Sequence, residues 1–157
     1  LTKWLWLSGL IVLADQASKM IIESQFQFAQ RLKVLPVFDL TLLYNKGAAF
    51  SFLAASDGWQ RWLFTAIGII ASFIIVALMR KHQAQPRFMC ALSLILGGAL
   101  GNVIDRVWHG QVIDFLLFYW RDWYYPAFNV ADMAITCGAL LLVLDEILRG
   151  LNARSAK

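Results

Sequence analysis

The stretch WLFTAIGIIASFIIVALM, Trp62 to Met79, contains no charged residue. A helix needs roughly 20 mostly apolar residues to cross the hydrocarbon core of a bilayer. This stretch therefore predicts a membrane-spanning helix. Working outward, three more stretches qualify. Trp4 to Ile22 is interrupted by Asp15, Gln16 and Lys19. Phe88 to about Trp108 is clean until Asn102, Asp105 and Arg106. About Val130 to Leu148 carries Asp132 near its start and Asp145 and Glu146 near its end. The expected fold class is an all-α membrane protein, one integral membrane domain over residues 1–157 with four transmembrane helices (about 4–22, 62–79, 88–108 and 130–148).

Composition agrees. The chain is 60% hydrophobic and 15% charged, against about 25% charged in an average soluble domain. A soluble protein of 157 residues could not hide so much apolar surface, so lipid is the natural solvent. Base exceeds acid by four with no Lys/Arg run, so no nucleic-acid partner is expected. Cys90 and Cys137 lie in apolar stretches at different depths and read as small hydrophobes rather than a disulfide or metal pair. His82 and His109 are far apart and no HExxH is present, so no metal and no zinc peptidase is expected. The chain opens on Leu1 rather than Met, so at least one residue is expected to precede it. The first apolar run is not expected to be a cleavable signal, because it carries Asp15 and Lys19 and lacks a small-x-small exit.

The connection from Arg80 to Arg87 is short and holds Arg80, Lys81 and Arg87 with no acid. The positive-inside rule makes it cytoplasmic. Lys3 and the tail residues Arg149, Arg154 and Lys157 then fall on the same side, and all are basic. Both termini are expected inside, and the connections 23–61 and 109–129 outside. In the first of these, Val34 to Phe38 and Leu40 to Tyr44 read as short strands, Asn45-Lys46-Gly47 as a turn, and Ala48 to Leu53 as a return strand. They predict a small extracytoplasmic β-sheet on the membrane surface. In the second, Phe115 to Tyr125 is dense in aromatics around Arg121 and Asp122 and reads as an interfacial aromatic segment.

The polar residues that suit lipid badly gather at one depth. The first and third spans run outward, so Asp15, Lys19, Asn102, Asp105 and Arg106 fall toward their outer ends. The fourth runs inward, so Asn129 and Asp132 fall at its outer start. Asp114 and Asn45 lie in the outer connections. An ionisable group within a membrane costs several kcal/mol unless paired, which makes each a functional candidate. Ordinary structural accounts exist too. Asp15 and Lys19, at i,i+4, can neutralise each other. Arg106 can snorkel to headgroups while Asp105 pairs with a neighbour. Asn129 with Asp132 three residues on resembles a helix N-cap with an acid in the first turn. Asn45 can be a turn residue.

Asp114 and Asp132 differ from Asp15 and Asp105 in having no basic residue within four positions. Two carboxyls without local partners at one leaflet can partner each other. Like charges about 3 Å apart cannot both ionise, so such a pair shares a proton at neutral pH. One carboxylate then takes a proton from water while the other protonates a substrate carbonyl, as aspartic peptide hydrolysis requires. Other nucleophiles fare worse: Ser18 and Lys19 are about 100° apart on a helix, and neither a GxSxG nor a Cys-His neighbourhood is present.

At this point the chain resembles a known family, the bacterial lipoprotein signal peptidases, or signal peptidase II. The matching pieces are Asp15-Gln16-Ala17-Ser18-Lys19, Asn45-Lys46-Gly47-Ala48-Ala49-Phe50, Gly101-Asn102-Val103-Ile104-Asp105-Arg106, Val112-Ile113-Asp114-Phe115 and Phe128-Asn129-Val130-Ala131-Asp132. Each alone is weak, but five in order form a specific signal. The resemblance implies a catalytic dyad of Asp114 and Asp132. It implies cleavage of diacylglyceryl-modified prolipoproteins just before the lipidated cysteine. It suggests that Asn45 and Arg106 touch the substrate peptide, and that Asp15, Lys19, Gly47, Asn102, Asp105 and Asn129 support the site. No cofactor, a monomer among membrane lipid, and a bacterial inner-membrane location with the site toward the outer leaflet are expected. A proton-coupled transporter or channel subunit using the same carboxyls as a relay is the alternative, weakened by the apolar inner half of the bundle. An assembly protein with incidental polar contacts is a second.

Overall fold

A computed structural model describes residues 1–47 and 58–155. Helix α1 spans Thr2–Gln25. Strands β1 (Arg31–Leu35) and β2 (Phe38–Asn45) follow. Then come helices α2 (Trp59–Lys81) and α3 (Pro86–Trp108), strands β3 (Val112–Trp120) and β4 (Trp123–Tyr124), and helix α4 (Val130–Ser155). Every helix overruns the apolar stretch that foretold it. Polar residues at helix ends continue the backbone hydrogen bonding once the chain leaves the apolar region. Pro86 opens α3 where its missing N–H has no intrahelical partner to lose. Arg80 and Lys81 close α2 at the negative end of its dipole.

Among the described residues, α1, α2 and α3 are long and apolar enough to cross a membrane. Large apolar side chains point away from the bundle: Trp6, Leu10 and Leu13 on α1, Ile70, Phe73 and Ile74 on α2, Leu140 and Val143 on α4. Patches of that extent suit lipid rather than water. Helix α3 is central, packing against α1, α2 and α4. Ile75, Met79, Met89, Leu92 and Leu96 form a core at one end. At that end the Leu1 backbone nitrogen donates to Gln83 Oε1 at 3.3 Å and Arg149 to Gln85 Oε1 at 2.6 Å. The N-terminus, the α2–α3 turn and the far end of α4 are thus neighbours.

The other end carries a four-stranded antiparallel sheet in the order β1-β2-β3-β4. Ile22 on α1 packs with Leu42, Ile113 and Phe115 beneath it. The two strands expected in the first connection are present, shifted by up to three residues, with Pro36 and Val37 in the turn between them. The expected return strand, Ala48 to Leu53, lies outside the described residues. In the second connection most of the aromatic segment is strand β3, paired to β2, with β4 at the exposed tip. Residues Val112 to Phe115 are all buried, so the inside-outside alternation that marks a half-buried strand is missing there. Trp120, Trp123, Tyr124 and Tyr125 remain exposed around the tip.

Candidate active site

Lys19 organises the floor of the site. It lies one turn from Asp15 on α1, and its Nζ is 2.7 Å from Asp15 Oδ2 and 2.8 Å from Asp105 Oδ2 on α3. All three side chains are buried. Removing such groups from water costs several kcal/mol per ion, offset only when every remaining lone pair is satisfied. Here they are. Asp15 Oδ1 accepts the Ala131 N–H at 2.8 Å, tying α1 to the first turn of α4. Asp105 Oδ1 accepts from Gln16 Nε2 at 2.8 Å, and its Oδ2 from the Ile113 N–H at 3.1 Å, tying α3 to β3. Gly101 makes room for this, since a Cβ there would sit 2.6 Å from Asp15 Oδ2.

Two asparagines carry the network upward. Asn102 Oδ1 accepts from Lys19 Nζ and from Asn129 Nδ2, each at 3.3 Å. Its amide nitrogen must then face the other way, where it donates to Asp132 Oδ1 at 2.8 Å. Asn129 precedes α4 and caps it: its Oδ1 accepts the Asp132 N–H at 3.0 Å, while its own N–H donates to Asp132 Oδ2 at 3.3 Å. This is a reciprocal capping box. The Asn129 amide nitrogen donates to Asp114 Oδ1 at 2.8 Å and to Ile113 O at 3.1 Å. Asn129 is held against Asp114 because Phe128 bridges to Leu116 of β3.

Asn45 ends β2 opposite Val112, and its side chain hydrogen-bonds Asp114. Its Oδ1 accepts the Gly47 N–H at 2.8 Å. Gly47 has φ +94° and presses on Phe64, where a Cβ would come within 2.7 Å of the ring, so any other residue would be strained and would have to displace the ring. Arg106 lies over the same Phe64 ring at 5.4 Å and donates to Asn102 O at 3.3 Å. Burial first, and the charge of Asp132 second, push the Asp114 carboxyl up to about 7, against hydrogen bonds from Asn45 and Asn129 and the charge of Lys19. Two cavities flank the carboxyls. One of about 330 Å³, between Asp132 and Met133, Thr136, Cys137, Tyr125 and Phe128, is mostly apolar. The other, about 380 Å³, lies between Asp114 and Asn45, Lys46, Tyr44 and Phe28.

The structure brings together every residue singled out in the sequence: Asp15, Lys19, Asn45, Gly47, Asn102, Asp105, Arg106, Asp114, Asn129 and Asp132. The structural accounts of Asp15 with Lys19, and of Asn129 with Asp132, are also correct as geometry. Each pair is at once a local device and part of the network. Asp145, a buried acid farther along α4, lies apart and pairs with Arg149. Gln16, an interruption of the first span to which the sequence assigns no role in the site, donates to both Asp15 and Asp105. Its signal was a polar residue beside an acid in mid-span.

The fold and site define a class, a helical membrane protein with a hydrogen-bonded cluster of carboxyls set at one end of the bundle. The profile of the Signal peptidase (SPase) II family matches residues 7–148. The "Lipoprotein signal peptidase" of Paraburkholderia phytofirmans is 52% identical over 154 residues, covering 98% of this chain and 90% of its own. That of Burkholderia thailandensis is 51% identical over 98% of this chain and 93% of its own. A bacterial membrane enzyme solved by the in meso method at 2.3 Å superposes with a TM-score of 0.86 and 30% identity, covering 97% of this chain and 92% of that one. A second such structure, at 1.9 Å, gives a TM-score of 0.82 at 31% identity, with 92% of each chain covered. The chain belongs to the signal peptidase II family of aspartic proteases.

Proposed function

We propose that Asp114 and Asp132 are the catalytic dyad with which this peptidase removes the signal peptide from diacylglyceryl-modified prolipoproteins, cutting before the lipidated cysteine. The observation that carries this is Asn129, which donates its side-chain N–H to Asp114 and its backbone N–H to Asp132. One residue thus holds two carboxyls from different elements at one place, beside cavities open on both sides. A water between them can lose a proton to one carboxylate as the other protonates the scissile carbonyl. Asn45 and Arg106 are the residues placed to bind substrate peptide. Asp15, Lys19, Gly47, Asn102, Asp105 and Asn129 support the dyad.

In this reading the chain is one membrane domain with α4 as a fourth span, in the bacterial inner membrane, acting as a monomer among lipid without a cofactor. Both termini and the Arg80–Arg87 turn face the cytoplasm. The sheet and dyad lie at the outer leaflet, the depth of a cysteine anchored by acyl chains. The test is to incubate the purified protein with a diacylglyceryl-modified precursor peptide. A cut whose new N-terminus is the modified cysteine supports the reading; no cut, or a cut elsewhere, overturns it.

A further inference from the structure

Which carboxyl holds the proton at rest follows from what surrounds each one. We infer that Asp114 is the resting acid and Asp132 the resting carboxylate; this rests on the dyad reading above and assigns its two roles. The number of N–H donors does not separate them. Asp132 receives the Asn102 amide at 2.8 Å and the Asn129 backbone N–H at 3.3 Å, while Asp114 receives the Asn129 and Asn45 amides. Charge and solvent do.

Asp132 sits in the first turn of α4, at the positive end of its dipole, where a carboxylate is favoured. It is only half-buried, whereas Asp114 is 3% exposed. The Arg106 guanidinium interacts more strongly with Asp132 than with Asp114. Burial without a matched cation favours the neutral acid. The charged groups around Asp114 do not reverse this. Lys19 acts on it from α1, but that ammonium is already matched by Asp15 and Asp105 at 2.7 and 2.8 Å. With both of these ionised the cluster carries one net negative charge. Lys46 lines the cavity beside Asp114 but is itself exposed to water, where its charge is screened.

Lys19 also acts as a positioning residue. By donating to Asn102 Oδ1 it fixes which way that amide points, and so delivers an N–H to Asp132 rather than a second acceptor. The reaction then has one direction. Asp132 takes a proton from the attacking water as Asp114 gives its proton to the carbonyl oxygen, forming a neutral gem-diol. On collapse Asp132 returns its proton to the leaving amine, and Asp114 recovers one from a diol hydroxyl. The C–N bond breaks and the resting charges are restored.

Infrared difference spectra between wild type and each Asn variant, on the full chain in detergent near pH 5.5, test the assignment. The C=O stretch of a protonated carboxyl is expected to vanish in Asp114→Asn. It is expected to survive in Asp132→Asn, with its titration moved to lower pH because a neighbouring charge has gone. Loss in Asp132→Asn alone, or partial loss in both, overturns the assignment. Cleavage of a lipidated precursor by either variant overturns the dyad instead, whichever band is lost. Asn102→Ala keeps both carboxyls and removes only the amide that reaches Asp132. The Asp114 band is expected to stay in this variant, and its loss overturns the assignment.

Discussion

Lys19 Nζ and Asp105 Oδ2 meet at 2.8 Å between α1 and α3, both side chains sealed from solvent. That contact joins the two helices where Asp15 and Asn102 also converge on the same ammonium. Breaking a buried ion pair by removing one partner costs about 3–5 kcal/mol, because the other charge stays behind. Lys19→Met leaves two unmatched carboxylates and is expected to lower the melting temperature in detergent by roughly 10 °C. Adding Asp15→Asn and Asp105→Asn to that variant removes the stranded charges and should restore most of the loss. A triple variant no more stable than Lys19→Met would show that the cluster is not held by charge.

The dyad is tested by isosteric change. Asn fills the space of Asp but cannot carry the proton, so Asp114→Asn and Asp132→Asn should each abolish cleavage while the helices still assemble. A residue that served only to cap α4 would cost about 1 kcal/mol and leave turnover measurable. Among the described residues no group of three or more His, Cys, Asp and Glu is arranged to hold a metal ion. Activity is therefore expected to survive strong chelators, and loss restored by added zinc would contradict the carboxyl chemistry.

Much of this site was legible in the sequence because intramembrane polar residues are expensive and so are seldom idle. Asp15, Lys19, Asn102, Asp105 and Arg106 stood out against apolar helices, and helix direction placed them at one end. The third strand was less legible, because Val112 to Phe115 are buried on both faces. The role of Gln16 was hidden for another reason: its value lies in reaching Asp105 on another helix at 2.8 Å, and spacing along one helix cannot show that. The route from Lys19 through Asn102 to Asp132 joins α1, α3 and α4, and only the packed bundle displays it.

Stability should move with pH at Asp114. An exposed Asp loses its proton near 3.8, whereas this one holds its proton up to about 7. Between those values the folded chain binds more protons than the unfolded one, so stability falls as pH rises. Asn does not ionise. Asp114→Asn should therefore be more stable than wild type by a margin that grows from pH 4 to pH 7 and then levels, reaching up to about 4 kcal/mol. Melting curves at pH 4.5 and pH 8 decide it: an equal shift at both would mean that Asp114 is ionised throughout. The acid role predicts a matching decline of activity as pH rises through about 7, with limbs that belong to the coupled pair.

Orientation can be checked chemically. In a version with Cys90 and Cys137 changed to Ala, Gln83→Cys should react with a membrane-impermeant maleimide only from the cytoplasmic side. Lys33→Cys, on the exposed strand β1, should react only from outside. The reverse pattern would turn the bundle over and put the dyad at the wrong leaflet for an exported precursor.

The acyl chains of the substrate raise a question of energy. They lie in the bilayer before the enzyme meets them, and lipid tails are as apolar as leucine, so moving them into a groove between helices gains little hydrophobic energy. Their value should be positional. A cysteine anchored by acyl chains is held at headgroup depth, beside Asp114 and Asp132 in the proposed orientation. The mostly apolar cavity along Met133, Thr136 and Cys137 opens from Asp132, which allows an apolar part of the precursor to lie against α4 while the scissile bond reaches the carboxyls. A precursor with an unmodified cysteine keeps its apolar signal helix but can slide past the dyad. Correct placement of reacting groups can contribute several kcal/mol to a barrier. Loss of the lipid is therefore expected to lower kcat/KM at least about a hundredfold, or roughly 2.7 kcal/mol. The comparison uses one precursor in lipidated and unlipidated forms, in the same bilayer. Equal rates would mean that the site reads peptide sequence alone, and the proposed substrate class would fall even if both aspartates proved essential.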